Sequence, residues 1–345
     1  MNSTLIDQIV EAVLYEGHLL YPYRPQSNRN RPEPCKLGCL YPDTYSRHHN
    51  GAQPCLIQTE CLVELAEKAS LKASVRFLHP ILREIELLDE APPVSILNAP
   101  PFECVPEFTL GKGLLQSCEE SVERRVELPS FRLRVSSSVK YEIRFQFPQS
   151  VLMQPIVRDE TVIGFIRRRQ EAITGTVEVS AVPAGPHLLK VAARVFNHTW
   201  VPPIDPEEPE PVRLQTLSST HTVLSVDGAE FVSLLAPMPQ YRHAAKSCRN
   251  LGTWPVLVGD GRLRERDTML SSPIVFCDYP KIAPEILERA SYQTGAGGIP
   301  ASGAAMACAG EQIKIRRVGS IGALRPARSG CGIQRSTRQN GCRLR

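Results

Sequence analysis

Apolar positions in the first 285 residues recur at two spacings, and the spacing changes along the chain. Leu5, Ile6, Ile9, Val10, Val13 and Leu14 follow a helical period behind the capping candidates Asn2 and Ser3, which predicts an amphipathic helix over 4–15 stopped by Gly17. Leu19 to Pro25 then holds two prolines that keep the backbone extended. From Leu56 the period becomes two. Glu60–Leu65 and Leu71–Leu78 flank a short polar stretch, Ala66 to Ser70, as the strands of a hairpin would. Thr176–Ala181 and Leu188–Phe196 repeat the arrangement around the turn Pro183-Ala184-Gly185-Pro186. A shift of 118 positions places Glu60, Leu71, Lys72 and Arg76 on Glu178, Leu189, Lys190 and Arg194, which points to two related halves.

Proline-rich connections follow each hairpin, Ala91 to Pro106 and Val201 to Pro211, and each leads to a predicted helix, Leu114–Arg124 and Tyr241–Arg249. Further strands are expected at Tyr141–Phe147, Val162–Arg167, Thr220–Val226, Glu230–Leu235 and Ser272–Phe276. The expected fold is α+β and strand-dominated: an N-terminal helix and extended segment (1–55), two β-rich halves (56–150 and 151–285), and a tail (286–345).

Charge separates that tail from the rest. Residues 290–345 carry nine basic side chains against the single acid Glu311, a net of +8, which leaves −4 of the chain's +4 for the remainder. Gly, Ala and Ser dominate the tail and no apolar period is sustained, so it is expected to be disordered. Its arginines are neither clustered nor interleaved with aromatics, and an acidic globule with such a tail does not read as a nucleic-acid-binding domain. No window reaches the run of about 18 apolar residues that a spanning helix needs, and Asp7, Glu11 and Glu16 stand where a signal peptide carries basic residues. The expected location is the cytoplasm, and the 11 cysteines are read as thiols.

Three constellations carry candidate chemistry. Cys35 and Cys39, with Cys55, Cys61, His48 and His49 nearby, offer thiolate and imidazole ligands, but a zinc knuckle needs two residues between its paired cysteines and this pair has three. A metal carrier using Cys35 and Cys39 stands as one alternative against packed or incidental thiols. His221, among Ser219, Thr220 and Thr222, could serve a hydrolase if Asp227 or Asp267 oriented it; the competing role is a hydrogen-bonded residue in an alternating strand. Tyr21, Tyr23 and Arg24 form an aromatic and cationic cluster that, with Trp254, is the candidate partner-binding set; anchoring of the N-terminal helix on the sheet competes with that role. Asp227-Gly228 and Gly259-Asp260-Gly261 lie between apparent strands and read as hairpin turns. No nucleotide loop, dinucleotide fingerprint or His-Glu-x-x-His is present, and no cofactor is expected.

Several longer stretches carry a resemblance. VLYEGHLLYPYRP at 13–25, QTECLV at 58–63, STHT at 219–222, EFVSLL at 230–235, CRNLGTWPVLVG at 248–259 and RDTMLSSPI at 266–274 resemble a bacterial family, without an assigned activity, encoded beside genes for nickel–iron hydrogenases of the actinobacterial, high-affinity type. The resemblance covers about 5–285. It implies a cytoplasmic, non-catalytic accessory or assembly protein acting through protein partners such as hydrogenase subunits or maturation factors, and it assigns no catalytic residue. The chain departs from the family at Cys35 and Cys39, where aromatic, glycine and polar residues are usual. It departs again after Glu285, where relatives continue into an acidic segment, a strand and a helix; a reading-frame shift would produce that break.

Overall fold

The computed structural model describes residues 7–9, 38–88, 102–111, 113–202, 210–280 and 314–318. Strand β1, Leu56–Leu88, is the spine of the molecule. Its 33 residues would reach roughly 110 Å if straight, far longer than one neighbour can cover, so successive strands share its two edges. The others are β2 (Phe102–Val105), β3 (Glu107–Leu110), β4 (Gly113–Gln116), β5 (Cys118–Leu133), β6 (Val139–Phe147), β7 (Ser150–Arg158), β8 (Thr161–Gln170), β9 (Ile173–Gly185), β10 (Leu188–Asn197), β11 (Ser218–Val232), β12 (Trp254–Leu257), β13 (Thr268–Ser272) and β14 (Lys314–Val318). One edge of β1 pairs in turn with β10, β5 and β2, the other with β11 and then β8, every pairing antiparallel. Outward from the spine run β10, β9, β6 and β14 on one side and β11, β13 and β12 on the other.

The sheet curls into half a barrel, and period-two alternation puts one face of each strand inside. Ile57, Cys61, Val63, Leu65, Leu71, Val75 and Phe77 of β1 all take odd positions and join Val177, Val179, Val191, Val195, Leu224 and Met269 in one core cluster. Phe77, Phe145 and Phe147 meet at ring separations of 5.7–6.0 Å, distances typical of offset and edge contacts. On the opposite face of β11 and β13, Ile9 packs with Val258 and Leu270.

Several expectations are corrected. The sheet is strand-dominated without a substantial helical part: Leu114–Arg124, expected as a helix, is β4 and the first half of β5, and the longest helix among the described residues is the six-residue Asp43–His48. A short helix does form at Arg242–Lys246. Of the expected amphipathic helix over 4–15, only 7–9 are described, so the remainder of that expectation lies outside the described residues.

The hairpin expected at Glu60–Leu78 is a single stretch of β1, and that expected at Thr220–Leu235 is, through Val232, a single strand, β11. These two long strands pair with each other, and their apparent turns coincide: Leu65 faces Ala229 and Ser70 faces Asp227, so 66–69 bulge opposite the lone Gly228. Thr176–Phe196 does fold as the β9–β10 hairpin. The two supposed counterparts therefore occupy non-equivalent places, and the sheet runs unbroken across both proposed halves. Within the tail, 314–318 forms an antiparallel strand on the edge of β6, and the rest of the tail expectation lies outside the described residues. No helix among the described residues is long and apolar enough to cross a membrane.

Candidate interaction surface

His221 lies in β11, fully buried, beside Arg76 of β1 in the ladder. Its Nδ1 is 3.0 Å from the Ser219 carbonyl, which assigns the proton to that nitrogen, and Nε2 meets no polar partner. Burial first, and then Arg76, lowers its pKa to about 4, while the Ser219 carbonyl opposes the shift. The ring bond goes to a carbonyl, not to Asp227 or Asp267; the Asp267 carboxylate instead accepts from Thr268 Oγ1 at 3.0 Å. This is a neutral imidazole pinned inside a sheet, without the orienting acid that the hydrolase reading requires.

Cys39 is buried beside Ser218, its Sγ 3.6 Å from that hydroxyl; Cys35 lies outside the described residues. Cys61 sits in the core, where burial, then Cys248 and Glu60, raise its pKa. His49 stacks on Tyr45 at 4.0 Å and directs Nδ1 to the Tyr45 carbonyl at 3.0 Å. Among the described residues no group of three or more His, Cys, Asp or Glu is placed to hold a metal. Tyr21, Tyr23 and Arg24 lie outside the described residues. Trp254 begins β12, half-exposed, opposite Ser272.

The segment 248–251, part of the family-like motif at 248–259, is held by a buried carboxylate. Glu60 Oε2 accepts from the Arg249 amide at 2.9 Å and lies 3.4 Å from Lys190 Nζ, and the Glu60 amide donates to Asn250 Oδ1 at 2.7 Å. Gln58 adds a bond from Nε2 to the Arg249 carbonyl at 3.0 Å and accepts from Arg194 Nε at 2.6 Å. These residues anchor a loop on the sheet, which is a structural task.

At the far end of β1 the inner face turns from apolar to charged. Arg83 Nη1 and Arg168 Nε reach the two oxygens of Glu120 at 3.0 and 2.8 Å, and Arg124 donates to Gln170 at 3.0 Å while lying 4.5 Å above the Phe147 ring. His79, fully buried beside them, has its pKa lowered to about 4 by burial first and Arg124 second. The Glu171 and Leu214 carbonyls oppose that shift, but neither makes a well-formed bond to the ring. This network ties β5 and β8 to the spine.

The β7–β8 hairpin projects from this end with its apolar side chains in solvent. Val151, Leu152, Met153, Val157 and Val162 are 40–49% exposed. Only Ile156 of β7 is buried, with Ile85 and Ile166. Among the described residues β7 pairs with β8 alone, so its other edge is open. Asp159 and Glu160 turn the hairpin with φ of 48° and 63°, the pair of positive values of a type I′ turn. Sequence reading missed β7 because that turn lacks the usual Asn or Gly; the run Val151–Val157 before an acidic pair was the available signal.

The chain matches no protein-family profile and no curated protein. Among solved structures, the InvG secretin-domain β-barrel from the Salmonella SPI-1 injectisome aligns over 71% of this chain and 75% of that one, at 10% identity and a TM-score of 0.15. A likeness of that size carries no argument.

Proposed function

We propose that this protein is a non-catalytic accessory factor that works by binding another protein, with the β7–β8 hairpin as the docking element. The observation that supports this is the open β7 edge with Val151, Leu152, Met153 and Val157 exposed along it. Natural sheets blunt their edges with charges, prolines or covering segments, because unpaired amides and carbonyls template further pairing. Here Pro155 removes one donor, which edge strands tolerate, and the apolar side chains stay uncovered. The occupant proposed is an extended, apolar segment of a partner protein that continues the sheet, with pockets for alternate side chains giving selectivity.

The identity of that partner rests on the sequence resemblance alone: a subunit or maturation factor of a nickel–iron hydrogenase, met in the cytoplasm. The test is V151E/M153E in the native host. The expected result is an unchanged thermal melt with loss of co-purifying hydrogenase components and impaired hydrogenase assembly, as in a gene deletion. Intact assembly in both strains defeats the hydrogenase reading; loss of self-association alone, measured by sedimentation, makes the occupant a second copy.

A further inference from the structure

A second, independent surface lies on the same side of the spine, beyond β11, around β12 and β13. The β12–β13 connection, 258–267, folds back over the end of β11 and encloses with 278–279 a cleft of about 280 Å³, at the small end of ligand pockets. Val232, Met238 and Leu257 give it an apolar floor, and Arg264, Arg266 and Tyr279 its polar wall.

The charges of this wall are unevenly matched. Asp278 is fully engaged, accepting from Ser233 Oγ at 2.6 Å and from the Leu257 amide at 2.9 Å. Arg266 lies 3.4 Å from Glu230. Arg264 makes no ion pair among the described residues, although it lines the cleft. Tyr279 is kept protonated, its pKa raised by burial first and by Asp278 second while Arg266 and Arg264 oppose, so its hydroxyl is a donor. Two of the few non-glycine residues with positive φ stand here, Arg264 at 50° and Tyr279 at 57°. Gly261 packs so close to Tyr279 that an added Cβ would meet its side chain at 3.1 Å. The loop is held in a costly conformation that presents Arg264 to the cleft.

We infer that this cleft binds a carboxylate attached to a compact aliphatic body, with Arg264 gripping the carboxylate, Tyr279 donating to it, and Val232, Met238 and Leu257 receiving the apolar part. A planar guanidinium fork fits a carboxylate with two parallel bonds. A phosphate dianion would ask for more uncommitted positive charge than one arginine supplies beside Asp278 and Glu230. The carboxylate can belong to the C-terminus of a peptide or to a free acid.

The test is an NMR titration of the full chain with N-acetylleucine, 4-methylpentanoate and the uncharged N-acetylleucinamide. Saturable binding of the acids at millimolar concentration is expected, with much weaker binding of the amide. R264Q should weaken the acids by roughly tenfold or more, and R262Q, on the same loop but outside the cleft, should leave them unchanged. N-acetylleucine binding well above 4-methylpentanoate identifies a peptide terminus as the source, and equal binding a free acid. Absence of response to both acids, equal binding of the amide, or equal effects of R264Q and R262Q overturns the inference.

Discussion

His221 shows how far single residues can be read. Its strand and its burial follow from the alternation around it, but the Ser219 carbonyl that accepts from its Nδ1–H is set by a local kink at Ser219, with φ of 50°, which no pattern of residue types announces. Both His221 and His79 are fully buried, and burial lowers both pKa values to about 4. In the unfolded chain they titrate near 6.5. The neutral form is therefore the one the fold favours, and its stabilising effect is complete above about pH 6.5. As pH falls below that value the unfolded chain takes up protons first, and stability is lost until the folded groups titrate near 4. Each histidine contributes a loss of about 3 kcal/mol across this window. Urea denaturation at pH 7.5 and 4.5 checks it: H79Q/H221N should show a clearly smaller drop than the parent chain, since the carboxylates are common to both. Equal drops would mean that neither ring is held neutral.

At the level of elements, the sequence carried more true local signal than correct pairing. The polar stretch Ala66–Ser70 and the pair Asp227-Gly228 do mark breaks in regular strand geometry, yet both are halves of one bulge where β1 and β11 cross from one partner register to the next. Strand partners lie far apart along the chain, so a local break reads the same whether it makes a turn or a bulge. Leu114–Arg124 failed for a related reason. Its Leu, Glu and Arg are good helix formers, but pairing of 118–124 with 77–83 of β1 and ion pairs such as Arg83–Glu120 and Arg76–Glu123 override that preference. The bulge gives a sharp test. Gly228 has φ of 66° and any Cβ there would press directly on the Lys68 carbonyl oxygen. G228A should destabilise the fold by about 3 kcal/mol or more, because the clash is with backbone and the conformation is strained for alanine. A loss under about 1 kcal/mol, within the range of ordinary surface substitutions, would show that the bulge is plastic.

For the whole molecule, the strand-rich character of 56–280 was legible because one apolar face persists through β1, β6, β9, β10 and β11. The single curled sheet was not, because its unity depends on one spine strand of 33 residues being shared by five others. The same design bears on the C-terminal tail. Among the described residues the core cluster draws its members from 40–279, and 314–318 pairs with the outer edge of β6, with Arg316 opposite Glu142 in the register. An edge ladder of this length adds hydrogen bonds whose net value is modest. A chain ending at Pro280 should therefore melt cooperatively within a few degrees of the full chain, a shift that corresponds to about 1 kcal/mol or less in a protein of this size. The loss should appear instead in hydrogen exchange, as faster exchange confined to amides of 140–144 that β14 protects, with β9 and β10 unchanged. Collapse of the transition, or faster exchange spread through β9 and β10, would mean that the tail is part of the core and that the sheet is not self-sufficient without it.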